Sequence, residues 1–173
     1  MIKSVIDKID TLYPITNKPL SFVVKKEIND IFYPCEVKNN EYKQLIDFQK
    51  LNDFHYWYLI GDVESKDIDN LYNLKKVYEL TYPLRIFICK KDSCDENLVL
   101  KLYKELDNLS MATRATLEIL NCKIQIKSFS LLRDSILQSE FNQLPKLMDK
   151  YSVASVDIDI VIQIDKNCIN DIC

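Results

Sequence analysis

Two carboxylates at positions i and i+2 of a β-strand leave it from the same face, and paired oxygens of that kind can hold a divalent cation for phosphoryl chemistry. Asp157-Ile158-Asp159 has this spacing, within an alternating run from Val156 to Ile164, and Asp165 follows at the end of that run. These three acids are the candidate metal ligands. A second kind of chemistry needs a thiolate. Cys94 stands just ahead of a helix expected to start at Asp95, and a helix N-terminus lowers a thiol pKa, but Asp92, Asp95 and Glu96 oppose the ionisation. The two effects roughly cancel. The single histidine, His55, excludes any mechanism that needs two imidazoles and reads as a polar tip within an aromatic strand. Its neighbours Tyr56 and Tyr58 alternate to one side and Trp57 to the other, so both faces of that strand are expected to be covered. Whatever Tyr56, Trp57 and Tyr58 leave exposed is the expected interaction surface.

Several classes of function conflict with the composition. Gly61 is the only glycine among 173 residues, so glycine-rich phosphate loops are missing and turns that need a positive φ must use Asn or Asp. The net charge of -3 argues against a nucleic-acid partner, and the basic pairs Lys25-Lys26, Lys75-Lys76 and Lys90-Lys91 read as solvated faces. Six cysteines, Cys35, Cys89, Cys94, Cys122, Cys168 and Cys173, show no CxxC spacing and no framework pattern, and are expected to be free thiols. Residues 1 to 14 carry Asp7 and Asp10 and lack the apolar core of a signal peptide, and no apolar run is long enough for a membrane helix. The expectation is a soluble cytoplasmic protein that needs no cofactor.

The elements that must position these residues follow from periodicity. Ile2, Val5, Ile6 and Ile9 predict a short helix before Pro14; Leu20 to Lys25 predicts a strand, Asn40 to Leu51 a helix, and Phe54 to Ile60 a strand. A stripe of Ile68, Leu71, Leu74 and Tyr78 predicts a helix from Ser65 to about Leu80, closed by Tyr82-Pro83. Leu84 to Cys89 is uniformly apolar after Arg85, as a strand covered on both faces would be. Further helices are predicted with Leu98, Leu102, Leu106 and Leu109 as one core face, from Leu131 to about Gln143, and from Pro145 to Tyr151. Lys123 to Phe129 and Val156 to Ile164 complete the strands, while residues 114 to 122 suit helix or strand. Strands alternating with helices imply an α/β fold with a central, mostly parallel or mixed sheet flanked by helices. One domain over residues 1–173 is the economical organisation, with 1–82 and 83–173 as the possible subdivision.

The segment Pro145-Lys146-Leu147-Met148-Asp149-Lys150-Tyr151-Ser152-Val153-Ala154-Ser155-Val156 resembles the thioredoxin-like and glutaredoxin-like proteins, in which a proline-initiated helix leads through Lys-Tyr-Gly-Val-x-Ser-Val to a cis-proline and a strand. Ser152 stands for the glycine and Asp157 for the cis-proline, and the resolving position after Cys94 is Asn97. The resemblance covers residues 84 to 164 and implies a degenerate thioredoxin-like C-terminal half without its redox pair. Ser155-Val156-Asp157-Ile158-Asp159-Ile160 is similar to the metal-binding strand of nucleotidyltransferases, without their upstream Gly-Ser turn. Asp53 with Glu64-Ser65-Lys66 has the letters of a nuclease core, but that triplet, like Cys35-Glu36-Val37-Lys38, is common by chance in so charged a chain.

The expected function is therefore a non-catalytic, thioredoxin-like binding or assembly module whose partner is another protein or a second copy. Two alternatives stand beside it: a thiol-redox protein relying on Cys94, and a metal-dependent nucleotidyl-transfer or nuclease protein using Asp157 and Asp159.

Overall fold

The computed structural model describes residues 2–12, 15–17, 19–39, 41–44, 53–70, 75–90, 97, 100, 104, 122–131 and 152–165. Helix α1 spans Ile2–Leu12 and buries Val5, Ile6 and Ile9, the stripe its periodicity predicts. Among the described residues nine strands follow: β1 (Pro19–Phe22), β2 (Val24–Ile28), β3 (Ile31–Lys38), β4 (Glu41–Gln44), β5 (Phe54–Leu59), β6 (Glu64–Asn70), β7 (Lys75–Lys90), β8 (Cys122–Ser130) and β9 (Ser152–Asp165). The main sheet runs β1-β5-β7-β9-β8, with β6 also on β7, and β2-β3-β4 form a separate small sheet.

This corrects the expected helix-flanked α/β fold. Among the described residues only β1 and β5 pair in parallel; β5, β6 and β9 each pair with β7 antiparallel, as does β8 with β9. The described chain is mostly strand, and nothing in it marks the C-terminal half as thioredoxin-like: residues 152 to 165 are one unbroken strand with no cis peptide. The helix predicted from Ser65 to Leu80 is instead β6 and the start of β7. The end of that stretch fits a period of two, because Tyr78, Leu80 and Tyr82 alternate with Val77, Glu79 and Thr81, and β-branched and aromatic residues suit a pleated surface. What decides is β9, whose fourteen residues pair with every residue from Val77 to Lys90. The helix predicted from Asn40 opens as β4, where Tyr42 pairs with Val37. Asn97, Leu100 and Lys104 are helical, while the helices expected after Leu131 and Pro145 lie outside the described residues.

β7 runs through Pro83 because of what stands opposite. Residues 60 to 63 separate β5 from β6 on one side of β7, facing only Tyr82 and Pro83. The Ile60 N–H donates to the Pro83 carbonyl at 3.0 Å. In an antiparallel strand both main-chain polar groups of a residue point the same way, so the N–H that proline lacks would have faced this bulge. Gly61 lies in the bulge without a positive φ, and a Cβ there would meet Pro83 Cγ at an ordinary 3.5 Å. Gly61→Ala is expected to change the unfolding free energy by less than about 1 kcal/mol, as read from urea titration. The positive φ angles fall on Ser21, Asn29, Asp30 and Asn39. Asn29-Asp30 forms the two-residue β2–β3 turn, where positive φ at both positions matches the twist of the hairpin.

Directly paired residues share a face, which sorts the core. Trp57, Leu84, Ile86, Ile88 and the even residues Ala154 to Ile162 form one face with Cys122 and Ile124, packed with the apolar stripe of α1. Phe54, Tyr56, Tyr58, Phe87 and Cys89 are buried on the other. Tyr56 and Phe87 stack at 5.0 Å between ring centroids. Further along β7 and β9 that second face turns polar.

Candidate functional site

α1 places Asp10 over the two β5 side chains that face it. Asp10 Oδ1 accepts a 2.9 Å hydrogen bond from Trp57 Nε1 and stands 2.9 Å from His55 Nε2, while His55 Nδ1 lies 2.8 Å from Thr16 Oγ1. The indole nitrogen only donates, so Asp10 must accept; in the neutral imidazole Nε2 then carries the proton and Nδ1 accepts the threonine hydroxyl. Carboxylate, imidazole and hydroxyl stand in the order that activates a nucleophile. Access separates this relay from a working one: Asp10, Thr16 and His55 are exposed by 5, 6 and 0%. Asp10 Oδ2 is itself buried with no hydrogen-bond partner. The arrangement fastens α1 and the bend at Thr16 to the sheet. His55 was identifiable from sequence; Asp10 and Thr16 were not, although Asp10, four residues after Ile6, is the one acid bordering the apolar stripe.

Asp157 and Asp159 do share a strand face. Each, however, already serves its neighbours: Arg85 donates from Nε to Asp157 Oδ1 at 2.5 Å and from Nη2 to Oδ2 at 2.9 Å, and Ser128 Oγ donates to the same Oδ2 at 3.2 Å. Arg85 and Ser128 are the residues directly opposite Asp157 on β7 and β8. Asp159 Oδ2 lies 2.8 Å from Lys127 Nζ. That hydrogen bond and the carboxylate charge push the Lys127 ammonium pKa up. Gln163 donates to Glu79 on another directly opposed pair, so this face is a ladder of cross-strand partners. Asp165 ends β9 and only its backbone is described; Cys94 lies outside the described residues. Glu64, Ser65 and Lys66 lie on exposed β6, not at a helix start, and Asp53 accepts from Asn17 at the entry to β5.

Tyr56, Trp57 and Tyr58 are exposed by 2% or less, which makes them interior residues and removes them as a surface. Large exposed apolar side chains stand close by instead. Leu59, Ile60 and Val63 are exposed by 38, 43 and 40%, all in or beside the β5–β6 bulge.

Cys35, Cys89 and Cys122 are buried and form no disulfide among the described residues. Burial pushes the Cys35 thiol up, against an opposing pull from Lys26, and pushes Cys122 up to about 11. A thiol whose native pKa is raised favours folding while both states hold the proton, and that contribution is lost as pH rises from the unfolded value near 9 to about 11. Wild type should lose about 2 kcal/mol more than Cys122→Ala between pH 8 and pH 11, measured by urea midpoints. Equal losses would show that Cys122 ionises as freely in the native state as in the unfolded chain.

No family model matches the chain, and a search of curated proteins finds no match either. Among the described residues, fold and site define a mostly β protein with a mixed sheet, to which helix α1 is fastened by a buried acid. Among the described residues no helix is long and apolar enough to cross a membrane.

Proposed function

We propose that the chain is a non-catalytic binding or assembly module whose partner is another protein or a second copy of itself. The observation that carries this reading is the exposed stretch from Leu59 to Asp67, in which three large apolar side chains stand beside a strand paired on one side only among the described residues. Apolar side chains grouped at one place with a polar rim mark interaction surfaces more often than scattered ones do. The chemistry-bearing groups add support, because the carboxylates of Asp10, Asp157 and Asp159 each hold a neighbouring strand or helix in place.

Ile60→Asp/Val63→Asp tests the reading, since both positions are exposed and the fold should tolerate the change. Sedimentation velocity over a concentration series should show association of the wild type that the double variant loses, with an unchanged melting temperature. Amide exchange at residues 59–63 of the wild type should slow as concentration rises. A monomeric wild type whose exchange there is independent of concentration and of added cell extract would overturn the reading.

A further inference from the structure

The small sheet ends on β4, which among the described residues pairs only with β3. Asn39, with a positive φ of 51°, turns the chain at the end of β3. In the register that follows, Lys38 stands directly opposite Glu41, Val37 opposite Tyr42 and Glu36 opposite Lys43. Opposed residues share a face, so Tyr42 and Val37 lie on one face and the four charges on the other. Glu41, Tyr42 and Lys43 are all exposed. Tyr42 and Val37 stay 53 and 45% exposed even with Lys26 Nζ at 4.4 Å from the tyrosine ring centroid. Glu36 is held between Lys38 at 3.4 Å and Lys3 at 3.7 Å, whereas Glu41 and Lys43 make no ion pair among the described residues.

The triplet Glu41-Tyr42-Lys43 is its own complement when read in the opposite direction. A twofold axis perpendicular to the sheet at Tyr42 sets Glu41 of each copy opposite Lys43 of the other, and the two tyrosines opposite each other. Along each rung of the joined sheet the charges then alternate: Glu36 and Lys43 of one copy are followed by Glu41 and Lys38 of the other. An axis at Glu41 would oppose two carboxylates and one at Lys43 two ammonium groups, so the pattern selects a single register. Tyr42 of each copy comes to stand about 5 Å from its counterpart between Cα atoms, with Val37 on its other side. The rings cover each other there, as aromatic cross-strand pairs do.

We infer that two copies of the chain dimerise by pairing β4 against β4 in antiparallel register about Tyr42, which makes their small sheets one continuous sheet. The interface uses the same strand on both copies, so it closes at two and leaves no β4 edge for a third. It involves none of residues 59–67 and does not rest on the reading proposed for them.

Charge reversal tests the pairing, in the Ile60→Asp/Val63→Asp background so that association at the bulge is removed. Glu41→Lys and Lys43→Glu should each weaken dimerisation about tenfold, because each sets like charges together twice. An equimolar mixture of the two should recover it, since contacts between unlike copies again oppose unlike charges. Sedimentation equilibrium reads the dimer, and thermal melting reads the fold of each variant. Tyr42→Cys keeps both charges and should give a disulfide-linked dimer on mild oxidation, which neither the background protein nor Lys38→Cys gives. Position 38 of one copy lies three strand spacings, roughly 14 Å, from its counterpart, too far for a disulfide. A background protein that stays monomeric at about 1 mM overturns the pairing. So do reversals that leave dimerisation unchanged, a mixture that restores nothing, or cross-linking as ready at Lys38→Cys as at Tyr42→Cys. The bulge is judged separately, by comparing the wild type with the background protein.

Discussion

Asp10→Ala is expected to lower the unfolding free energy by about 3 to 5 kcal/mol, because it leaves two buried donors without an acceptor at about 1 to 3 kcal/mol each. The cause is what remains behind. His55 Nε2 and Trp57 Nε1 both direct a donor at Asp10 Oδ1 at 2.9 Å, and both rings are 0% exposed, so neither can turn to water. Asp10→Asn keeps an acceptor oxygen in place and should recover roughly half of the loss, since a neutral acceptor makes the weaker hydrogen bond. Urea titration of the two variants decides the matter. A loss below about 1 kcal/mol in Asp10→Ala would mean that the two donors find other acceptors and that the helix is held by Val5, Ile6 and Ile9 alone.

Val156→Asp is expected to cost at least about 4 kcal/mol and to leave little folded protein, because it places an unpaired carboxylate in the core. Phe129→Asp is the informative comparison. Phe129 is the residue directly opposite Val156 on β8, on the same face, yet it is 51% exposed while Val156 is 3% exposed. The same charge one strand further out should change stability by less than about 1 kcal/mol. Similar losses in both variants would show that the edge at Phe129 is covered in solution.

Local pattern was enough for the elements whose burial is simple. Ile2, Val5, Ile6 and Ile9 allow only a one-sided helix, and α1 follows at Ile2–Leu12. The strands at Phe54–Leu59, Cys122–Ser130 and the part of Ser152–Asp165 from Val156 onward likewise follow from alternation and β-branched content. Where pattern misled, two periods fitted one stretch. Ile68, Leu71, Leu74 and Tyr78 satisfy a helix, while the residues from Val77 onward satisfy a strand, so the outcome depended on β9 lying alongside, more than seventy residues later in the chain. Leu20 to Lys25 reads as one strand, but the chain passes from one sheet to the other at Val23, whose N–H donates to the Trp57 carbonyl at 2.8 Å.

Residue type alone marked His55 as the one imidazole, Asp157 and Asp159 as carboxylates of one face, and Asn and Asp as the residues for positive φ. Those are properties of single side chains and of the two-residue repeat of a strand, and they hold in any fold that makes these segments strands. Which group answers each of them belongs to the tertiary structure. Asp10 meets His55 across forty-five positions and Arg85 meets Asp157 across seventy-two, and no local spacing encodes such a meeting. Pairing register is set by the summed burial of whole strands, and it turned two candidate metal ligands into cross-strand partners and left no exposed remainder of Tyr56, Trp57 and Tyr58 to serve as a surface.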